Sequence, residues 1–242
     1  MAIPKKIHYV WVGGKEKPKA IQKCMKTWKK HLKDYEIVEW NETNFDINSH
    51  PFVKKAYENR KWAFVSDYIR AYAIYNQGGV YLDTDVLVLD NLDSLLNNRA
   101  FVGYERPDFP FTAVFGAEAG HPLVKEMLYY YDGLDMNFEF KDNNTISVSN
   151  ILIEHYGCML GNIEQTLRED IKVYPDGILC NPSMESKTVH VFLGSWLNRG
   201  KFSSKMHEFL RMKMSNKFNI RLYLGYSKLK KILKSGRKVR VL

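Results

Sequence analysis

A helix that runs directly into a buried strand constrains the fold of this chain more than any other feature. Residues 63–77 carry apolar side chains at helical spacing, and a Gly-Gly pair ends that helix. The apolar residues 80–82 follow at once as a strand, and Asp83 and Asp85 come directly after it. A helix joined so closely to a buried strand is typical of α/β proteins, in which helices cover a sheet.

The N-terminal part of the sequence predicts a second unit of the same kind. Residues 6–12 form an apolar strand, residues 17–32 have helical spacing with lysines on the opposite face, and residues 35–40 form another short strand. Further strands are predicted at residues 100–104 and 112–117, and helices from residue 122 and over residues 145–160. The sequence therefore predicts an α/β fold with a mixed, mostly parallel sheet flanked by helices.

Charge is distributed unevenly along the 242 residues. Residues 201–242 contain 13 Lys and Arg and one acidic residue, whereas residues 1–200 contain 23 basic and 26 acidic residues. We therefore expect one folded domain over residues 1–200 and a basic amphipathic helical tail over residues 201–242. The apolar positions of that tail are Leu210, Met214, Phe218, Leu222, Leu229, Ile232 and Leu233.

A basic tail has three interpretations: a solvated surface, a nucleic-acid contact or a membrane contact. No nucleic-acid-binding motif accompanies the charge and the body is slightly acidic, so we expect no nucleic-acid partner. Amphipathic spacing favours an anionic membrane surface.

Location is predicted from the cysteines and the first residues. Cys24, Cys158 and Cys180 are odd in number and scattered, which is typical of a reducing compartment. The strand that begins near Lys6 leaves no room for a secretory leader, and no apolar run approaches the length of a membrane span. We expect a cytoplasmic protein, peripheral on the inner face of the plasma membrane.

Asp83 and Asp85 are the candidates for a metal site. In an extended segment, residues two apart point the same way, so both carboxylates would face one site at the end of the strand. Two hard oxygen ligands favour Mg²⁺ or Mn²⁺. The motif alone is weak, because two aspartates in a turn are common after a strand. The same pair could also belong to a metal-dependent phosphohydrolase, but the sequence lacks the added His and Asp clusters of a two-metal site.

Asp67 and Arg70 lie three residues apart on the helix before this strand, and so share one face. They are either a surface ion pair of small energy or a pair that binds sugar hydroxyls and phosphate.

Several segments closely resemble glycosyltransferase family 32, a DXD-containing group that includes α-mannosyltransferases and capsular polysaccharide transferases. The most specific is Trp62–Arg70 followed by Tyr75–Asp85. The opening Ile3–Trp11, the Gly120-His121-Pro122 element and the closing His190–Trp196 are also similar to family segments. The resemblance covers about residues 1–200, and it is more distant to the sugar-transferring domain of clostridial toxins.

The resemblance implies a GT-A type, Rossmann-like nucleotide-sugar-binding fold and a set of site residues. Asp85 would bind the metal, with Asp83 in the metal shell or against the donor, and His190 as a further metal or diphosphate ligand. Asp67 and Arg70 would hold the transferred sugar. The remaining implied contacts are Val10 and Trp11 at the nucleotide base, and Ser195 and Trp196 over the diphosphate.

The resemblance also implies a retaining, metal-dependent hexosyltransferase that uses Mn²⁺ or Mg²⁺ and a nucleotide sugar. A UDP-sugar is the default donor and GDP-mannose the next. A glycan or lipid-linked glycan of a bacterial surface or capsular polysaccharide would be the acceptor. The alternatives are a toxin-like transferase that modifies a protein, or a non-catalytic basic protein that binds membranes or nucleic acid.

Overall fold

A mixed seven-stranded sheet forms the centre of the computed structural model, which describes residues 3–134, 144–193 and 210–238. The strand order is β2-β1-β3-β6-β5-β8-β7, and a separate two-stranded sheet pairs β4 with β9. The strands are β1 Lys6–Val10, β2 Glu36–Trp40, β3 Gly79–Leu82, β4 Val86–Val88, β5 Ala100–Gly103, β6 Val114–Ala117, β7 Gln165–Leu167, β8 Ile171–Tyr174 and β9 Thr188–His190.

Five of the seven central strands run in the same direction, because only β6 and β7 are antiparallel to their neighbours. Seven helices accompany the strands in the described residues. They are α1 Lys19–His31, α2 Pro51–Glu58, α3 Trp62–Gln77, α4 Pro122–Asp132, α5 Asn144–Glu154, the single turn α6 Asp176–Leu179 and α7 Lys217–Lys238. The predicted α/β fold with a mixed, mostly parallel sheet is therefore confirmed.

The junction between α3 and β3 has the form that its sequence predicts. Gly78 and Gly79 both have positive φ, at 63° and 116°. A Cβ atom at Gly79 would lie 2.8 Å from the backbone oxygen of Lys6, so a side chain there would collide with β1. Every residue of β3 is buried, because the strand is central in the sheet.

A buried histidine connects this junction to β1 and β2 through two hydrogen bonds. His8 on β1 is fully buried, and its Nε2 lies 2.9 Å from the backbone oxygen of Gly78. Its Nδ1 accepts a hydrogen bond from the Trp40 indole N–H of β2 at 3.0 Å. With Nδ1 as acceptor, the ring is neutral and Nε2–H donates to Gly78.

The predicted tail divides into two parts. Met214 and Ile220 are buried against Leu87 of β4 and Val189 of β9, so residues 210–220 pack on the two-stranded sheet. Along the outer side of α7, Phe218, Leu222 and Tyr226 are exposed and apolar. Met214 therefore does not share an exposed apolar face with the positions that follow it. No helix in the described ranges has both the length and the apolar character needed to span a bilayer.

Candidate active site

Asp83, Asp85 and His190 come together at the carboxyl edge of the central sheet. One ligand atom from each lies within 4.8 Å of the others. Asp83 and Asp85 occupy a tight turn between β3 and β4, closed by a hydrogen bond from the Val86 N–H to the Asp83 carbonyl at 3.0 Å. His190 joins them because β4 pairs with β9, with Val86 opposite His190.

The reason that the two aspartates converge differs from the expected one. The sequence predicts an extended segment with both carboxylates on one side, whereas the backbone turns at these residues. Each carboxylate therefore has its own surroundings: Asp83 contacts the helix α3, and Asp85 contacts the segment that follows β9.

Asp85 and His190 form a largely buried pair, with 14% and 12% of their side-chain surface exposed. The Nε2 atom of His190 lies 3.2 Å from Oδ1 of Asp85, and the Leu193 N–H donates to Oδ2 at 2.8 Å. Burial alone would raise the pKa of Asp85, but His190 and the Leu193 N–H outweigh it and hold that pKa below its ordinary value. Burial likewise disfavours the charged form of His190, and Asp85 overcomes this to raise the pKa of the imidazole.

Arg70 joins the metal-site turn to helix α3. Its Nη2 lies 3.0 Å from Asp67 Oδ1 and 3.1 Å from Asp83 Oδ1, and its guanidinium lies 4.5 Å from the centre of the Tyr81 ring. The Tyr81 hydroxyl also donates to Asp83 at 3.1 Å. Asp67 and Arg70 have only 6% of their side-chain surface exposed, so they are not a surface ion pair.

Two carboxylates share one guanidinium here, so the negative charge of Asp67 is only partly neutralised by Arg70. Burial raises the pKa of Asp67 to about 6, Arg70 opposes the shift and the nearby Asp83 adds to it. The backbone N–H of Asn144, at the start of α5, donates to the second oxygen of Asp67 at 3.3 Å. The site thus contains a carboxylate whose protonation changes near neutral pH.

Sequence reasoning missed two polar residues at this edge. Asn144 is buried, and its side-chain Nδ2 has no hydrogen-bond partner among the residues that the structure describes. Glu105 follows β5, and the part of the chain that the structure describes offers its carboxylate neither a hydrogen bond nor an ion pair. Burial raises the pKa of Glu105, with His190 opposing and Asp83 adding to the shift. An acidic residue directly after a predicted strand is the signal that could have found Glu105.

The remaining predicted residues are distributed as follows. Val10 is buried in the core at the end of β1, while Trp11 next to it is partly exposed. The Trp11 indole N–H donates to the Lys15 carbonyl at 2.6 Å, and Lys17 lies 5.5 Å from the ring centre. β1 is the parallel neighbour of β3, so Trp11 and Asp83 follow adjacent strand ends. Ser195 and Trp196 lie outside the described residues.

The donor set of the Asp83–Asp85–His190 cluster is suited to a divalent cation. Two carboxylates and one imidazole match the oxygen and nitrogen ligands that Mn²⁺ accepts, and oxygen-rich sites also bind Mg²⁺. The second ring nitrogen of His190, Nδ1, is buried beside the thiol of Cys180, and no residue that the structure describes forms a hydrogen bond with it. If Nε2 coordinated a metal, the ring proton would therefore reside on Nδ1.

An α/β sheet with an acidic turn at its carboxyl edge, beside a buried carboxylate–arginine pair, defines a site for a cation and a polar ligand. Residues 18–102 match the model of the family described as glycosyltransferase sugar-binding region containing DXD motif. The matched region contains Asp67, Arg70, Asp83 and Asp85. The resemblance noted in the sequence is thereby confirmed.

Curated relatives match parts of the chain. Inositol phosphoceramide mannosyltransferase 3 of Schizosaccharomyces pombe is 29% identical over 143 residues, which are 57% of this chain and 40% of the relative. An uncharacterised protein of Arabidopsis thaliana is 34% identical over 90 residues, or 36% of this chain and 14% of that protein. The chain thus spans less than half the length of these relatives.

Solved structures of glycosyltransferases are similar at low identity. The PaToxG glycosyltransferase is 16% identical, with 63% of this chain and 70% of that chain covered and a TM-score of 0.47. A glycosyltransferase involved in glycosylation of the major capsid of PBCV-1 is 12% identical, with 86% and 99% covered and a TM-score of 0.47.

Proposed function

We propose that this chain is a metal-dependent, retaining glycosyltransferase that moves a hexose from a nucleotide sugar to a hydroxyl of a glycan acceptor. The observation that carries the proposal is the convergence of Asp83, Asp85 and His190 beside the Asp67–Arg70 pair, at one edge of the sheet. The four residues of this group that precede β4 lie within the family-matched region.

Asp85, Asp83 and His190 would hold the cation. A divalent cation supplies Lewis-acid neutralisation of the charge that grows on the departing nucleoside diphosphate. Asp85 keeps one oxygen bonded to the Leu193 N–H, so its other oxygen, now facing His190, is the one available to a ligand. Asp83 uses Oδ1 for Arg70 and Tyr81, which leaves Oδ2.

Asp67 and Arg70 would hold the transferred sugar. A buried carboxylate accepts hydrogen bonds from sugar hydroxyls, and the guanidinium fixes the orientation of that carboxylate. The buried, unpartnered amide Nδ2 of Asn144 lies on the residue whose N–H contacts Asp67, and it supplies a further donor for a hydroxyl. These groups would orient the anomeric carbon before the bond to phosphate breaks.

The nucleotide would lie over the end of β1, with Val10 and Trp11 at the base and Ser195 and Trp196 over the diphosphate. A UDP-sugar is the default donor. The S. pombe relative is by its name a mannosyltransferase that acts on inositol phosphoceramide, so GDP-mannose is the second donor to test.

Retention of configuration would follow same-face attack. In that route the departing phosphate takes the proton of the acceptor hydroxyl, and neighbouring carboxylates support the oxocarbenium-like state. Asp67 and Asp83 would give that support, and both contact Arg70, which would fix their orientation. Glu105, whose carboxylate lies close enough to Asp83 and His190 to feel their charge, would add a further polar group to this cluster.

The acceptor would be a lipid-linked glycan of surface or capsular polysaccharide synthesis, assembled at the cytoplasmic face of a membrane. The exposed stripe of Phe218, Leu222 and Tyr226 lies on a helix rich in Lys and Arg, which suits an anionic leaflet. Flotation with vesicles containing phosphatidylserine should recover the wild type, and Phe218→Ser with Leu222→Ser should lower that fraction at least several-fold. Equal flotation of the two proteins would contradict membrane docking by this stripe.

The function is tested by nucleotide release from a panel of UDP-sugars and GDP-mannose. We expect slow release from one donor with Mn²⁺, loss of release on adding a chelator, and at least a ~10²-fold lower rate for Asp85→Ala. An exposed aspartate in an ion pair, Asp108, offers a matched control in Asp108→Ala. Release that survives both chelator and Asp85→Ala would refute the metal-dependent mechanism, and no donor binding at all would favour a non-catalytic role.

A further inference from the structure

A single arginine from the predicted tail reaches back to the candidate metal site. Arg211 has 7% of its surface exposed, although it lies more than a hundred residues beyond the family-matched region. Its guanidinium donates to the backbone oxygen of His190 and, at 2.6 Å, to the side-chain oxygen of Asn181. The Cys180 carbonyl oxygen lies 3.5 Å from Nη1 of Arg211, which is also the atom that donates to the His190 oxygen. Arg211 therefore bonds the backbone of the metal-site strand directly.

Arg211 also contacts the residue that shapes the turn after His190. Its guanidinium carbon lies 4.7 Å from the centre of the Phe192 ring, and that ring stacks on His190 at 3.9 Å between ring centres. Phe192 has a φ of 59°, in the left-handed region that non-glycine residues seldom adopt. Such a conformation persists only where its surroundings hold it.

The turn at Phe192 sets the positions of the two groups that contact the carboxylate of Asp85. His190 before it offers Nε2 to one oxygen of Asp85, and Leu193 after it offers its backbone N–H to the other. If the turn relaxed to an ordinary φ, the His190 ring and the Leu193 N–H could no longer both face Asp85. The geometry of the metal-binding pair thus depends on the contacts of Phe192.

The charge of Arg211 is not explained by an ion pair. Within the described ranges, no carboxylate lies within salt-bridge distance of this guanidinium, and its Nε is buried without a partner. A buried cation whose partners are two carbonyls and an amide costs desolvation that an apolar side chain would avoid. Its place is fixed because Met214 and Ile220, in the same segment, pack on the strands β4 and β9.

We propose that Arg211 is a positioning residue for the metal ligands: it holds the strand β9 and the Phe192 turn so that His190 and Asp85 face one cation. This inference rests on the proposed metal-dependent function. On this proposal, residues 210–220 belong to the same unit as the metal site. The basic helix α7 begins within them, at Lys217.

Mn²⁺ binding to the purified 242-residue chain tests this role without any sugar substrate. The titration follows the electron paramagnetic resonance signal of free Mn²⁺. We expect Arg211→Met to raise the Mn²⁺ dissociation constant about 10- to 100-fold, as for other residues that orient metal ligands. Arg211→Lys keeps the charge and should recover part of the affinity. The matched control is Arg221→Met, an exposed arginine of the same segment, which should stay within about twofold of the wild type.

A second variant covers the case in which Arg211→Met does not fold. Phe192→Leu keeps an apolar side chain but removes the ring that lies between Arg211 and His190, and it should weaken Mn²⁺ binding several-fold. If Arg211→Met, or Phe192→Leu where Arg211→Met does not fold, binds Mn²⁺ like the wild type, Arg211 has no positioning role. A wild type that binds no Mn²⁺ would overturn the metal-dependent function itself, and this inference with it.

Discussion

Two histidines, the fully buried His8 on β1 and the largely buried His190 on β9, have opposite surroundings. Both nitrogens of His8 are engaged by neutral groups, the Trp40 indole and the Gly78 carbonyl, and the ring joins three parts of the fold. His190 faces the carboxylate of Asp85 with one nitrogen, and in the described part of the chain its other nitrogen has no hydrogen-bond partner. Burial is therefore common to both, and the difference lies in their partners.

The partners set opposite electrostatic behaviour. Burial lowers the pKa of His8 to about 4, since the Gly78 carbonyl opposes that shift only weakly. Burial acts in the same direction on His190, but Asp85 reverses it and raises the pKa. A neutral ring with saturated hydrogen bonds stabilises the fold, whereas a ring held against a carboxylate is available to exchange that contact for a ligand. The hydrogen-bond partners of a histidine on a strand therefore indicate whether it stabilises the fold or can bind a ligand.

The largest expected effect is the loss of activity when His190 is substituted. His190→Ala removes a nitrogen ligand from the cluster, so we expect Mn²⁺-dependent nucleotide release to fall about 10²-fold and Mn²⁺ affinity about 10- to 100-fold. The measurements are release kinetics over a Mn²⁺ series and the same Mn²⁺ titration that tests Arg211.

His8→Ala is the matched control for that experiment, because it removes the same side chain from another buried strand. Its Mn²⁺ affinity, expressed per folded molecule, should stay within about twofold of the wild type. Equal losses of Mn²⁺ affinity in the two variants would mean that the metal site depends on general stability and not on His190 as a ligand.

The sequence predicted the local part of this arrangement well. The helix α3, the glycine junction and β3 occur as expected, because helical spacing, φ-permissive glycines and an apolar run are all encoded within a few neighbouring residues. The acidic turn was located correctly, although its residues turn where an extended backbone was predicted. That turn depends on β4 pairing with a strand about a hundred residues later, which no local pattern encodes.

The long-range part of the site was beyond the sequence for the same reason. Arg211 lay in a segment whose basic composition predicted a separate tail, and its buried position arises from packing on β4 and β9. Asn144 and Glu105 are single polar residues without a motif, and only the sheet order brings Glu105 near Asp83. His190 was found through a family resemblance, since an isolated histidine on an apolar strand is more often a core residue.

The smaller expected effect concerns His8 and is a change of stability. His8→Leu leaves the Trp40 indole N–H and the Gly78 carbonyl without their partner, so it should lower the free energy of unfolding at pH 7 by about 2 kcal/mol.

Because the fold lowers the pKa of His8 to about 4, the unfolded chain binds more protons than the folded one between about pH 4 and 6.5. The stabilisation from neutral His8 is therefore complete above about pH 6.5 and is lost as the pH falls towards 4. Urea unfolding from pH 7 to 4.5 should show a smaller decline in the free energy of unfolding for His8→Leu than for the wild type. Parallel curves for His8→Leu and the wild type would show that His8 is not held neutral, and the contrast with His190 would then rest on geometry alone.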